Sequence, residues 1–406
     1  MSQFFMIKLL SKDKLNLKEY LDFLYLPYVI YTRYKSKKVL PLFIADYHDF
    51  KNSASLKEIK ANNGFIKYLL LYDKSIVGRA LIYNDPLYDR KSLWISGFEV
   101  LNKSYGNILI NEIEKIAKEK EFKEIIGPAK FNANGEIGCL ISNFNSQPFF
   151  MEPYNLSFYH EIFETNNYKI KDKWYSFVID RKSLNKRLSL LERIININWK
   201  SIKDNIWKRN HDYLEVYSLA DYNKKQQKNI INELLSIYNE EWDDLNHPQF
   251  RRMTKNEQKE MIENLKIVGL YDLVLIAKLN GKIIGTLVAL PNINEIIQSY
   301  DKKHKIKPNL FNLLYRDLRL IFNMKKKKNS VRSLRILIMG VRKDYRKRGI
   351  EGILMYSLMK SVEKNYPNVK EVSGSQVAER NKNMFNELIK MSKLNFIWNV
   401  YYKQLT

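Results

Sequence analysis

The stretch Ile338-Met339-Gly340-Val341-Arg342-Lys343-Asp344-Tyr345-Arg346-Lys347-Arg348-Gly349-Ile350 decides how the second half of the chain folds. An apolar strand runs into a basic turn that contains a glycine, and a helix is predicted from about Glu351. The start of a helix offers unpaired backbone N–H groups and a positive dipole end to an anion, and Gly349 lets the backbone approach a phosphate closely. The stretch therefore predicts a phosphate-binding loop, although a basic helix N-terminus without a ligand has the same composition.

The elements around this loop repeat a plan that is also present in the first half. In both halves a hairpin leads to an apolar strand, then to a helix with apolar residues at helical spacing, and then to another strand. The second hairpin turns at Asn280-Gly281, a dipeptide typical of tight hairpin turns. The paired segments are the hairpins 68–82 and 273–288, the strands 93–100 and 334–341, and the later strands 123–126 and 369–372. The repeat predicts two α/β units of similar topology.

The domain bounds follow from this repeat. We place the first unit at residues 1–180, a charged helical linker at 181–213 and the second unit at 214–406. Residues 295–330 lie between the second hairpin and its following strand, and we predict that they form a helical insertion. An addition beside a repeated core often shapes a ligand pocket, but a plain packing helix is an equally good interpretation.

Composition excludes several classes of protein. The chain has 406 residues, of which 45% are hydrophobic, and such a chain forms packed cores rather than global disorder. Its single cysteine, Cys139, excludes a disulfide scaffold and a cysteine-based zinc site, and it fits a cytoplasmic location. No apolar run reaches the roughly 20 residues of a membrane-spanning helix. The 69 Lys and Arg against 44 Asp and Glu give a net charge of +25, which reflects either a surface for an anionic partner or the lysine-heavy amino-acid usage of an AT-rich genome.

The loop resembles the pyrophosphate-binding loop of the GCN5-related N-acetyltransferase (GNAT) superfamily, Arg/Gln-x-x-Gly-x-Gly/Ala. The matching residues here are Arg346-Lys347-Arg348-Gly349-Ile350-Glu351, and Glu351 departs from the family's Gly or Ala. The resemblance implies an α/β fold of two tandem GNAT-like domains, each a mixed, mostly antiparallel sheet flanked by helices. It also implies a set of residues that bind coenzyme A: Met339, Gly340, Val341, Arg346, Lys347, Arg348, Gly349, Ile350 and Asn381.

Other motifs extend the resemblance along the chain. Leu26-Pro27-Tyr28, Gly135 to Ile141 and Met151-Glu152-Pro153-Tyr154-Asn155 are similar to motifs of a subfamily of tandem bacterial acyltransferases related to YghO. The first half, however, has Leu101 to Asn107 after its apolar strand, without the paired arginines of a pyrophosphate loop. We therefore expect the first domain to be a degenerate GNAT-like domain that does not bind coenzyme A, and to form a wall of the acceptor site.

The acid and the base of the reaction stay open. Many family members carry a tyrosine two helical turns after the asparagine that Asn381 matches, but this sequence has Leu388 there. Tyr401 and Tyr402 in the last strand are substitutes by elimination, or else aromatic residues of the core. The candidate bases are Glu371, Glu241 and Asp243.

The resemblance implies an acyl-CoA-dependent N-acyltransferase. Such an enzyme moves an acetyl or longer acyl group directly from acetyl-CoA or a longer acyl-CoA to an amine. We expect the acceptor to be an amine-bearing small molecule or a lipid, and the protein to make peripheral contact with an anionic membrane. We expect it to bind no metal ion and no nucleic acid, and to be a monomer or a homodimer. The alternative is a catalytically inactive GNAT-like binding protein that uses its basic surface on nucleic acid or an anionic membrane.

Overall fold

The structure is a computed structural model that describes residues 7–131, 135–203, 205–244, 250–268, 271–304 and 306–405. Within these ranges, fifteen strands belong to one sheet. Helices lie along the sheet and bury their apolar sides against it. In α4, for example, Leu109, Ile113 and Ile116 are buried at the three- and four-residue spacing that places them on one helix face.

The first half contains seven strands and five helices among the described residues. Their bounds are β1 Lys8–Lys12, α1 Leu17–Arg33, α2 Phe43–Lys51, α3 Ala54–Ala61, β2 Ile66–Asp73, β3 Ser75–Tyr83, β4 Ser92–Val100, α4 Lys103–Glu119, β5 Glu124–Gly127, β6 Cys139–Leu140, α5 Tyr159–Thr165 and β7 Lys169–Asp180. The predicted hairpin, strand, helix and strand are present as β2, β3, β4, α4 and β5. Helix α1 begins at a capping box, in which Asn16 accepts from the Glu19 N–H and the Glu19 side chain accepts from the Asn16 N–H.

The segment 181–213 joins the halves and contains both helix and strand. Helix α6 spans Arg181–Asn198, and Asp180 caps its first turn. Strands β8 Lys200–Lys203 and β9 Ile206–Arg209 follow and extend one edge of the sheet. The helical prediction for this segment therefore agrees with its first part only, because the later residues pair as a hairpin.

The second half repeats the plan with a helical addition. Its elements are β10 Asp212–Ser218, α7 Lys224–Asp244, α8 Lys255–Val268, β11 Val274–Leu279, β12 Lys282–Pro291, α9 Asn294–Lys303, α10 Leu310–Lys327, β13 Ser333–Val341, α11 Ile350–Asn365, β14 Glu371–Ala378, α12 Lys382–Met391 and β15 Lys393–Gln404. Helices α9 and α10 occupy the predicted insertion 295–330.

The two halves exchange their last strands. The strand order is β1-β2-β3-β4-β5-β15-β7-β14-β13-β12-β11-β10-β9-β8. Strand β15, from the end of the chain, pairs with β5 of the first half, while β7 of the first half pairs with β14 of the second. These two strands also pair with each other. Sheet pairing thus links the chain segments 1–180 and 214–406 into one continuous sheet.

The insertion also ties the halves together. Arg316 of α10 is buried, where it forms an ion pair with Asp301 at 2.7 Å and donates to the backbone carbonyls of Leu40 and Pro41. The neighbouring Asp317 accepts the N–H of Ile44 at the start of α2 at 2.8 Å. A buried charge is stable only when it is paired and hydrogen-bonded, so these contacts fix one face of α10 on the first half.

Candidate functional site

Strands β13 and β14 separate partway along their length. They pair in parallel only from Ser333–Glu371 to Ile336–Gly374, although β13 continues to Val341 and β14 to Ala378. The residues of β13 from 336 to 339 are only half-buried, while those on either side of them are buried. An opening therefore lies between the two strands beyond Ile336, and backbone groups of β13 border it.

The Val341 N–H points toward this opening. Successive N–H groups of a strand point to opposite sides, and the Arg342 N–H donates to the Ile284 carbonyl of β12 at 2.8 Å. The preceding N–H, that of Val341, therefore lies on the side where β13 has separated from β14. This is the position from which a backbone donor can bind a carbonyl oxygen placed between the strands.

The loop after β13 leads to a helix start that has no side-chain cap. Strand β13 ends at Val341 and α11 begins at Ile350, so eight residues separate them. Gly349 precedes the helix with a φ of 83° and supplies no side-chain cap. A Cβ at this glycine would have no heavy atom within 4 Å, so the helix start faces open space. An anion can therefore approach the first N–H groups of α11.

Two arginines, Arg346 and Arg348, lie in the loop directly before this helix start. Arg346 Nε donates to the Val341 carbonyl at 3.0 Å, which folds the loop back on the end of β13. Arg348 is exposed, and its guanidinium lies 5.2 Å from the centre of the Tyr345 ring. Arg342 is engaged elsewhere, because it forms an ion pair with Glu240 of α7 at 2.5 Å.

Helix α6 holds the loop in place. The indole Nε1 of Trp199 donates to the Arg348 carbonyl at 2.9 Å, and the Trp199 ring is buried. Trp199 directly follows α6, and Leu191 within α6 lies 3.8 Å from the position that a Cβ would take at Gly352. The segment between the halves therefore positions the backbone of the loop.

Apolar side chains line the other side of the opening. Helix α12 lies over β14 with none of its residues fully buried. Its Phe385 packs edge-on against Tyr175 and Phe177 of β7, with ring centres 4.8 and 5.6 Å apart. Leu388 lies 3.7 Å from the position of a Cβ at Gly374, the residue where the strands separate. Asn381 caps α12 by accepting the Met384 N–H at 3.4 Å.

A buried carboxylate lies at the point of separation. Glu152 accepts from Ser375 Oγ at 2.6 Å, from Ser176 Oγ at 2.9 Å and from the Phe149 N–H at 2.8 Å. Ser375 directly follows Gly374, the last residue of β14 that pairs with β13. The guanidinium of Arg335, also buried, donates to the Ser375 and Phe150 carbonyls, and burial lowers its pKa. In the sequence, the only signal for Glu152 is a glutamate inside the largely apolar run Phe149-Phe150-Met151-Glu152-Pro153.

The structure brings some of the candidate acids and bases to the sheet but not to this opening. Glu371 is exposed at the first residue of β14, in the paired part of the strands. Tyr401 is fully buried in the core of the first half, and its hydroxyl donates to Glu164 at 3.0 Å. Tyr402 is partly buried beside it, opposite Ile126 of β5. Asp243 forms an ion pair with Arg252. Glu241 lies in α7, and its side chain is outside the described residues.

The described part of the chain has neither a metal cluster nor a membrane-spanning helix. It contains no group of three or more His, Cys, Asp or Glu side chains arranged to hold a metal ion. None of its helices combines the length and apolar character that crossing a bilayer requires.

Comparison with known proteins gives distant relatives. No family model matches the chain. It is 24% identical over 255 residues to the bacterial ceramide synthase of Caulobacter vibrioides and 24% identical over 282 residues to protein YghO of Escherichia coli. These matches cover 63% and 69% of this chain, but only 59% and 65% of the two relatives.

Among solved structures, a tandem GNAT protein from the clavulanic acid biosynthesis pathway matches over 98% of both chains. The TM-score is 0.51 and the sequence identity is 8%, so this likeness concerns the fold. Both halves repeat the order strand, connection and helix, but only the second half has the basic loop between the strand and the helix. The chain has a GNAT-like α/β fold with a large, mostly antiparallel sheet flanked by helices, which confirms the fold class that the sequence resemblance implied.

Proposed function

We propose that this chain is an acyl-CoA-dependent N-acyltransferase whose second half binds the coenzyme. The observation that carries the proposal is the uncapped start of α11. Gly349 leaves the first N–H groups of the helix accessible, Arg346 and Arg348 lie beside them, and the separated strands begin at the same end of β13. A pyrophosphate fits the helix start, and an extended thioester arm fits the opening between the strands.

The reaction is a direct transfer. The amine nitrogen attacks the thioester carbonyl carbon, and the Val341 N–H stabilises the negative charge that develops on the carbonyl oxygen. The C–S bond then breaks, the C–N bond of the amide remains, and the coenzyme leaves as a thiolate that takes up a proton. We assign removal of the amine proton to Glu152, reached through the Ser375 hydroxyl, because this carboxylate lies where the strands separate.

For the acceptor we propose a long-chain amine and for the donor a long-chain acyl-CoA. One relative is named a ceramide synthase, and a ceramide is the amide of a fatty acid with a long-chain amino alcohol. The side chains along the opening favour binding of a hydrocarbon chain, since they are apolar and half-buried. They are Ile336, Met339, Phe385 and Leu388. Each of these side chains would gain contact area from a bound hydrocarbon chain.

The experiment is an assay of thiol release from palmitoyl-CoA with sphinganine, compared with acetyl-CoA and a small polar amine. We expect turnover with the long-chain pair. Glu152→Gln should keep its affinity for coenzyme A and lose about a hundred-fold or more in turnover, because the variant cannot accept the proton. The matched control for charge is Glu121→Gln, which neutralises an exposed carboxylate of the first half and should leave turnover unchanged.

The outcomes separate the parts of the proposal. Turnover with acetyl-CoA and the polar amine alone would overturn the long-chain assignment but keep the acyltransferase. A folded protein that binds none of the coenzymes would overturn the enzyme and leave the basic GNAT-like binding protein. Undiminished turnover of Glu152→Gln would remove Glu152 from the mechanism.

A further inference from the structure

Helix α10 carries an exposed apolar stripe. Phe311, Tyr315, Leu318 and Phe322 are 84%, 61%, 65% and 64% exposed. Their spacing of four, three and four residues places all four on one face of the helix, over a length of about 17 Å. Singly exposed apolar residues are ordinary on protein surfaces, but a continuous stripe of three large aromatic rings and a leucine marks an interaction surface.

The opposite face of α10 is firmly packed. Leu313, Leu320 and Met324 are buried, and Arg316 and Asp317 anchor the helix to the first half through the contacts described above. The stripe is therefore exposed on a helix whose other side is already buried, and burying the stripe requires a partner outside the fold described here.

Positive charge flanks the stripe. Lys325, Lys326 and Lys327 form the last turn of α10, and all three are exposed. Arg319 is exposed on the same side of the helix as the stripe, and the only carboxylate of the helix, Asp317, is buried on the other side. An apolar face bordered by lysine and arginine is typical of helices that lie in a membrane interface.

A basic groove runs along one flank of this helix. It has a volume of about 1150 Å³ and is lined by seven Lys or Arg side chains, among them Lys302, Arg319, Lys327 and Arg332. Its two carboxylates are Glu295 and Glu371, and Glu295 already accepts from the Ser333 hydroxyl and the Arg332 N–H. The groove therefore presents a net positive lining next to the stripe.

We propose that α10 and this groove form one docking surface for an anionic lipid bilayer. The stripe enters the boundary between headgroups and acyl chains, and the lysines and the groove bind lipid phosphates. A second copy of the chain fits less well, because neither arrangement of two α10 helices supplies carboxylates to neutralise Lys325, Lys326 and Lys327: Asp317 is buried, and a parallel pair would also bring the two lysine sets together. The surface is defined independently of acyl transfer, and for a lipid acceptor it would hold the enzyme where its substrate resides.

Docking through α10 leaves the coenzyme loop accessible to water. The groove includes Ser333, the first residue of β13, whereas the loop follows Val341, its last residue. Eight residue steps along a strand span about 26 Å. A water-soluble acyl donor can therefore reach the loop while the other end of the strand faces the membrane.

The test is flotation of the full chain with phosphatidylcholine vesicles, with and without phosphatidylglycerol, and with no acyl-CoA present. We expect binding to the anionic vesicles only. Leu318→Ser/Phe322→Ser should reduce it about ten-fold, and Lys325→Ala/Lys326→Ala/Lys327→Ala about a hundred-fold. The matched controls are Leu17→Ser/Leu87→Ser and Lys224→Ala/Lys225→Ala/Lys228→Ala, which alter exposed residues elsewhere and should bind nearly as the wild type does.

Several results would overturn this proposal. Equal losses of vesicle binding in the test and control variants would show that binding depends on net charge or general hydrophobicity and not on α10. Absence of flotation together with a dimer in solution that Leu318→Ser/Phe322→Ser dissociates would assign the stripe to self-association. Because the assay contains no coenzyme, its failure leaves the proposed acyl transfer untouched, and a failure of acyl transfer leaves vesicle binding untouched.

Discussion

The two halves of the molecule contain an equivalent strand and helix but connect them differently. Gly78 pairs with Val100 in the first half, and Gly285 pairs with Val341 in the second, so β4–α4 and β13–α11 can be aligned through the sheet. Two residues separate β4 from α4, whereas eight separate β13 from α11. The first half makes the shortest connection between the elements, and the second half builds a loop there.

The start of the helix is closed in one half and open in the other. Asn102 caps α4, because its side chain accepts the Tyr105 N–H at 3.0 Å. Gly349 offers α11 no such cap. The same N–H groups that an anion would bind in the second half are therefore partly satisfied by the protein itself in the first.

The strands differ in the same way. The Val100 N–H, which corresponds to that of Val341, donates to the Tyr159 hydroxyl at 2.9 Å. The carboxylate of Glu99 occupies the position of Gly340 and accepts from the Tyr31 and Tyr159 hydroxyls. All residues of β4 except Gly97 are buried. Under the proposed function, the fold alone therefore does not make a coenzyme site, because side chains of the first half fill the space that stays open in the second half.

The largest expected effect concerns two equivalent isoleucines, Ile95 on the buried strand β4 and Ile336 on the partly open strand β13. Ile95 pairs opposite Ile82 and Ile336 opposite Ala289, so they are equivalent positions. We expect Ile95→Ala to lower the free energy of unfolding by about 2–5 kcal/mol, because the residue is fully buried. Ile336→Ala should cost less than about 2 kcal/mol, since its side chain is half-exposed. Urea unfolding measures both, and equal costs would contradict an open second half.

The next prediction concerns the glycine at the helix start. Gly349→Ala places a Cβ in the left-handed region and should lower the free energy of unfolding by about 1 kcal/mol. Its affinity for coenzyme A should fall about ten-fold, as the loop shifts to relieve the strain. Gly281 is the matched control, because its φ of 81° and its open surroundings are the same, in a hairpin turn. Gly281→Ala should lose stability equally and keep its affinity in calorimetric titration.

A smaller effect is expected at the corresponding cap of the first half. Asn102→Ala removes the side chain that accepts the Tyr105 N–H and should cost about 1 kcal/mol in thermal or urea unfolding. The affinity for coenzyme A should not change, because α4 is not its binding helix in this account. A loss of affinity in a folded Asn102→Ala variant would show that the first half takes part in binding.

The smallest effect is a pH dependence that reports the filled opening of the first half. Burial raises the pKa of Glu99 above its ordinary value of about 4.3, so the folded state binds a proton more tightly there than the unfolded state does. The wild type should therefore lose stability from this group as the pH rises above about 4.5. Glu99→Gln lacks that loss, so its stability relative to the wild type should rise between about pH 4 and pH 7. A flat difference across this range would contradict the burial argument.

The sequence was sufficient to predict the repeat and the loop, because these depend on local patterns. The Asn280-Gly281 turn, the apolar strands and the glycine before α11 all act within a few residues, and each is present where the pattern predicted it. The exchange of β7 and β15 was not predictable, since strand pairing across the halves is a property of the sheet. That exchange is also what carries Tyr401 into the core of the first half.

The buried carboxylate was missed for a similar reason. Glu152 gains its setting from Ser176 on β7 and Ser375 on β14, which are 24 and 223 residues away along the chain. No local pattern reveals that these hydroxyls converge on one oxygen. Helix α10, in contrast, lies in the segment that the sequence predicts to be helical, but only the structure shows which of its apolar side chains are buried and which form the stripe.

Calorimetric titration of the wild type with coenzyme A tests the central claim most directly. One molecule of coenzyme per chain is the result that we predict, with binding lost in Arg346→Ala/Arg348→Ala and retained in Arg33→Ala/Arg90→Ala, which removes two exposed arginines of the first half. Two molecules per chain, or binding that survives the loss of Arg346 and Arg348, would contradict the assignment of the site to the second half alone.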